Sequence, residues 1–174
     1  MSSAPAVRDP DDGAGRGQRH SGRRAARLAA VQALYQIDFS HAEPRGVVVE
    51  FLAHRLTETD EEGAPDQAFF SEVVHGACDR RAEIDTHIGG TLPEGWPLPR
   101  LDSVLTALLR CAVYELLARP DVPPRVAINE YVGIAHGFFS GKEPGMVNAV
   151  LDRVARVVRP EGFESGADTG SPRS

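Results

Sequence analysis

Apolar residues recur every three or four positions along most of this chain, a spacing that predicts one helix after another. In "GRRAARLAAVQALYQIDFS", Leu28, Val31, Leu34, Tyr35 and Phe39 fall on one arc and five alanines supply propensity. A first helix is expected from about Gly22 to Asp38, behind Ser21. Pro44 and Gly46 then interrupt. The three successive valines of "VVVEFLAHRL" favour extended structure, but Val48, Phe51, Leu52 and Leu56 recur at helical spacing and predict a short helix. Residues 66–88 read as one long amphipathic helix with Phe70, Val73, Ala77, Ile84 and Ile88 on its core stripe.

After the turn-rich "GGTLPEGWPLPR", the segment "LDSVLTALLRCAVYELLAR" is apolar nearly all round, as a helix at the centre of a bundle must be. Pro120, Pro123 and Pro124 end it and position the next helix, "RVAINEYVGIAHGFF". A loop with Gly141, Pro144 and Gly145 leads to a last helix from about 145 to 158, carrying Met146, Val150, Leu151, Val154 and Val157 and closed by Pro160. Six helices without a convincing strand imply an all-α, single-domain bundle. Residues 1–20 show no periodicity and are expected to be a disordered basic tail, as are the Gly/Ser-rich residues 161–174 at the other end; the helical domain is residues 21–160.

Composition narrows the class. Hydrophobic content of 41% with 25% charge is that of a globular protein, no apolar run approaches bilayer length, and no secretory signal opens the chain, so a cytoplasmic protein without membrane contact is expected. Cys78 and Cys111 read as small apolar core residues rather than a disulfide. The acidic turn at Asp60, Glu61 and Glu62 reads as a solvated loop, and no histidine lies at metal-ligand spacing. Neither a metal nor a cofactor is expected.

The net charge is −6, yet residues 13–36 hold Arg16, Arg19, Arg23, Arg24 and Arg27 with no acid. A basic segment on an acidic body is a localised footprint for a polyanion. Cations in the first turns of a helix oppose its dipole, and RNA phosphates would compensate them. On the same helix Gln32, Tyr35 and Gln36 offer amides that can read base edges and a ring that can stack, although Tyr35 also suits a core. Lys142 is the chain's one lysine. Its "SGKE" fails the phosphate-binding loop pattern, with His136 where the first glycine is required and Glu143 where the hydroxyl is required. A flexible cation just before a helix start is, however, a phosphate site in its own right. No enzyme signature is present.

"RRAARLAAVQALYQ", "LRCAVYEL", "DVPPRVAINEYVGIA" and "FFSGKEPGMVNAVLDRVAR", in this order and spacing, resemble the NusB family of transcription antitermination factors over residues 23 to about 160. The resemblance implies about six to seven helices in two packed sub-bundles. It also implies a non-enzymatic protein without cofactors, binding the boxA element of ribosomal RNA leader transcripts as single-stranded RNA. The implied partners are a ribosomal small-subunit protein, NusE, on the surface of the central and fifth helices, and the RNA polymerase antitermination complex. By position the implied RNA contacts are Arg23, Arg24, Arg27, Gln32, Tyr35 and Lys142. The basic start is thinner than in members with three consecutive arginines, and Arg16 and Arg19 would supply the missing charge if the tail folds over the RNA. Two other readings stay open: a NusB-like domain of the kind found in RNA cytosine methyltransferases, and a helical interaction module or homodimer that buries its RNA face.

Overall fold

The helix expected to be central is central: between Leu105 and Leu116, all but Thr106 and Arg110 are buried. In the computed structural model, which describes residues 12–59 and 63–163, this helix is the fifth of seven. They are α1 (Asp12–Ser40), α2 (Pro44–His54), α3 (Gln67–Asp79), α4 (Arg81–Thr91), α5 (Ser103–Ala118), α6 (Pro124–Phe138) and α7 (Glu143–Val158). Two short 3-10 turns, Leu98–Arg100 and Pro160–Gly162, complete the described elements. α1, α2 and α3 pack against one another, α7 packs against α4 and α6, and α5 touches members of both groups. The result is an all-α bundle in two packed sub-bundles joined through one apolar helix.

Local chemistry fixes the helix ends. The Asp66 carboxylate accepts from the Phe69 N–H at 3.0 Å and Asp102 accepts from the Val104 and Leu105 N–H groups at 2.8 and 3.2 Å, each capping the helix that follows. Proline stands in the first turn of α2, α6 and α7, where its missing N–H costs nothing. The Asp66 N–H also donates to the Gly22 carbonyl at 3.0 Å, tying the loop before α3 to α1.

Three expectations change. The single helix over 66–88 is two helices, because Arg80 (φ −102°, ψ 21°) leaves the helical path. The break lets α4 turn toward α5 and α7, while α3 stays against α1, α2 and α5. α1 begins at Asp12, ten residues ahead of Gly22, so part of the segment expected to be disordered is helical. The core stripe of α1 is also rotated: Ala26, Ala30, Val31, Ala33, Leu34 and Ile37 are buried, whereas Leu28 is 39% and Phe39 75% exposed. The alanines pack the core, letting α1 approach its neighbours closely. Residues 1–11 and 164–174, Asp60 to Glu62 and the side chain of Arg16 lie outside the described residues, and so do the expectations placed on them.

Cys111 is buried and burial pushes its thiol pKa far up, while Cys78 is half-buried; both are free thiols. Among the described residues no helix is long and apolar enough to cross a membrane.

Gly76 on α3 lies flat against the Tyr114 ring of α5, where a Cβ would come within 2.1 Å of a ring carbon. Tyr114 is itself buried and donates its hydroxyl to Glu72 at 3.2 Å. Gly76→Ala is therefore expected to destabilise the fold by about 1–3 kcal/mol through overpacking. Urea unfolding of the variant checks this, and an unchanged midpoint would contradict the contact.

Candidate nucleic-acid interface

Five residues of α1 decide the site. With 3.6 residues per turn, Arg23, Arg24 and Arg27 point in three directions. Arg27 points inward. Its Nε donates to both Glu115 oxygens at 3.2 and 3.0 Å and its Nη2 to Oε1 at 2.6 Å, with the two side chains 2% and 0% exposed. Burial pulls the Arg27 pKa down, but the hydrogen bonds and charge of Glu115 more than reverse this, and the guanidinium sits above its ordinary value. Arg27 is thus one half of an α1–α5 ion pair that is buried on both sides. The resemblance implied that Arg27 touches RNA; here its side chain is buried, with Nε and Nη2 bonded to Glu115 and only Nη1, 3.9 Å from Glu130, without a hydrogen bond.

Arg23 turns toward α3. It lies 3.5 Å from Asp121 and 3.7 Å from Asp66, with its guanidinium over the Phe69 ring at 5.1 Å. Arg24 turns the other way, toward α6, and stays 67% exposed. Its Nη2 lies over Gly133, 3.9 Å from where a Cβ would stand, an ordinary contact distance.

Beside Arg24 runs a groove between α1 and α6. A depression of about 510 Å³ is lined by Arg24, Leu28 and Gln32 on one side and by Gly133, Gly137 and Phe138 on the other. It adjoins a second, of about 430 Å³, lined by Gln32, Tyr35, Gln36, Phe39, Arg55, Val104 and Phe138. Gln32 and Phe138 belong to both. Tyr35 is half-buried and stacked on Phe39 with ring centroids 5.9 Å apart, so its ring plane is set in advance. Gln36 is engaged elsewhere, its Nε2 donating to Glu50 at 3.4 Å.

Lys142 lies past the end of α6 as the residue before α7, exposed and with no capping hydrogen bond from its side chain. Glu143 fills the first turn of α7 with a carboxylate, so the cation on offer there is the lysine ammonium rather than the helix end. Of the six residues expected at the site, Arg24, Gln32 and Tyr35 share one groove, Lys142 extends from the end of α6, Arg23 faces α3 and Arg27 is buried. The sequence reading missed Phe138, which is 43% exposed, and the glycines opposite α1. The pair Phe138–Phe139 held the signal: neighbouring positions on a helix lie about 100° apart, so one stripe rarely buries both.

The arrangement is a cation at one end, an amide in the middle and aromatic rings at the other end of an apolar-floored groove, which suits a single strand with phosphates and unstacked bases. The model of the NusB family matches residues 24–156. The chain belongs to the NusB family. It is 46% identical over 155 residues to transcription antitermination protein NusB of Rhodopseudomonas palustris (strain BisB18), covering 87% of this chain and 92% of that one. It is 47% identical over 176 residues to transcription antitermination protein NusB of Rhodospirillum rubrum, covering 90% of this chain and 94% of that one. Among solved structures, T. maritima NusB superposes with a TM-score of 0.69 at 32% identity, covering 82% of this chain and 96% of that one. The crystal structure of antitermination factors NusB and NusE in complex with dsRNA gives 0.66 at 23% identity over 78% of this chain and 97% of that one, a likeness of fold.

The two arginines one turn apart should separate cleanly in unfolding experiments. Arg27→Ala leaves Glu115 buried and unpaired and is expected to cost about 3–5 kcal/mol. Arg24→Ala removes an exposed side chain and is expected to stay within about 0.5 kcal/mol of the native protein. Equal losses in chemical denaturation would contradict these placements.

Proposed function

We propose that this protein is a transcription antitermination factor that binds boxA-type RNA of ribosomal RNA leader transcripts together with ribosomal protein NusE, and so supports RNA polymerase processivity. The observation that carries this reading is the groove itself, in which Arg24, Gln32, Tyr35 and Phe138 converge from α1 and α6. Arg24 and Lys142 would hold phosphates, Gln32 would bond a base edge, and Tyr35 and Phe138 would stack on bases. Arg23 would add charge to the flank of the site when its pairing with Asp66 and Asp121 opens.

In this reading the protein is not an enzyme and works in the cytoplasm, where nascent transcripts are. Its relatives over more than nine-tenths of their length carry the antitermination name, which favours this reading over the methyltransferase-associated one. A second copy of the chain is a competing occupant of the same face, because Leu28, Phe39 and Phe138 leave apolar surface exposed along it. Light scattering of the free protein distinguishes the two.

Titration of a labelled single-stranded boxA oligonucleotide tests the proposal with NusE present. Arg24→Ala and Lys142→Ala are each expected to weaken binding and to lower the magnitude of the log-salt slope by about 0.7, the value for one single-strand phosphate contact. Phe138→Ala is expected to cost about 1–3 kcal/mol of affinity with the slope unchanged, as a lost base stack would. A double variant of Arg24 and Lys142 that binds like the native protein would refute the proposal.

A further inference from the structure

Behind Arg24 lies a carboxylate to which the RNA-binding reading gives no role. Glu130, on α6, is 12% exposed at its side chain and is approached by two guanidinium groups and an imidazole, each beyond ordinary hydrogen-bond length. His20 Nε2 is 3.5 Å from Oε1, Arg27 Nη1 is 3.9 Å from Oε2, and Arg24 Nε is 4.0 Å from Oε2. Oε2 is buried and accepts no hydrogen bond, and Arg27 Nη1 facing it makes none. A guanidinium fully engaged with a carboxylate sits at roughly 2.7–2.9 Å, as Arg27 does with Glu115 at 2.6 Å.

The charges count unevenly. Arg27 is already matched by Glu115, which leaves Glu130 as a second carboxylate around one buried guanidinium. Its remaining counter-charge comes from Arg24 at the rim, the cation that reaches into the groove. A phosphate arriving there meets an arginine that already faces an anion at its back.

We propose that Glu130 is the internal rival of the RNA phosphate for Arg24, a buried carboxylate that orients the free arginine and sets the affinity of the groove. Binding exchanges a loose Arg24–Glu130 attraction for a close Arg24–phosphate pair, with Glu130 still present as a nearby like charge that weakens it. Glu130 acts through Arg24 and does not itself touch RNA. The inference rests on the RNA-binding reading.

Glu130→Gln keeps the side-chain shape and removes the charge. In titrations with a labelled single-stranded boxA oligonucleotide at several salt concentrations, it is expected to bind about threefold to tenfold more tightly than the native protein at low salt, with the advantage shrinking as salt rises. The gain is expected to vanish in an Arg24→Ala background, because the effect runs through that one pair. An unchanged or lower affinity in Glu130→Gln overturns the inference, and so does an equal gain with and without Arg24. Should Glu130→Gln fail to fold, Glu130→Asp draws the charge back by one methylene and is expected to show part of the gain; no gain there overturns the inference equally. If the native protein shows no salt-dependent RNA binding, the RNA reading and this inference fall together. If it binds and the Glu130 variants match it, the inference alone fails.

Discussion

One buried ion pair fixes the relation on which the rest of the molecule depends. Arg27 and Glu115 are 88 residues apart in sequence and meet in the core, where neither has water to fall back on. Such a pair adds little net stability over an apolar pair of the same shape, since desolvation offsets most of the attraction. What it adds is selection: any rotation or sliding of α1 on α5 would strand two charges in an apolar interior. Apolar stripes alone tolerate small shifts in register, and α1, whose inner face is mostly alanine, has few large side chains to prevent them.

The orientation of α1 is the orientation of the site. Once Arg27 points at α5, helix geometry sends Arg24 toward α6 and Arg23 toward α3. Arg23 joins an aromatic and ionic cluster in which the guanidinium groups of Arg23, Arg27 and Arg119 all lie within 5.3 Å of the Phe69 ring centroid. Arg119 in turn bonds Asp121 and Glu72. The arginines on that flank brace α1 against α3 and the end of α5. On the opposite flank α1 meets α6 around Glu130, and beside Gly133 and Gly137 a groove opens between the two helices. The bracing contacts and the candidate groove therefore divide α1 lengthwise, one face for each.

Much of this was legible in the sequence. The apolar run of α5 announced a central helix, and the prolines before α6 and after α7 marked helix ends correctly. Where the reading failed, a local pattern had two meanings. The 3.6-residue period continues from Ala77 to Ile84 and Ile88 across the break at Arg80, because a one-residue departure bends the axis without disturbing the spacing. Alanines in α1 looked like propensity and are packing. Arg27 looked like part of a basic patch, yet it stands four residues before Val31 and seven before Leu34, on the buried stripe, while Glu115 is the lone acid inside the apolar α5. One arginine and one glutamate, each on a core-facing stripe, were a legible pair. Phe138 was harder to find, since exposure at a helix end depends on which neighbour is absent.

The charge distribution also bears on how such a site can work. A net charge of −6 with Arg27 buried and Arg23 paired leaves Arg24 and Arg55 as the cations lining the groove, with Lys142 beyond the end of α6. Two phosphate contacts give a log-salt slope of only about 1.4, a small electrostatic contribution beside that of proteins with six to ten contacts. Stacking on Tyr35 and Phe138 tolerates many sequences and adds about 1–3 kcal/mol per base. On the proposed reading such a surface would hold RNA weakly alone, because the arginine that would strengthen it is committed to Glu115, and moving it outward would undo the junction that aims Arg24. On that reading a second protein lying along the same strand would raise affinity, its contacts adding to the groove's without requiring α1 to give up its core arginine.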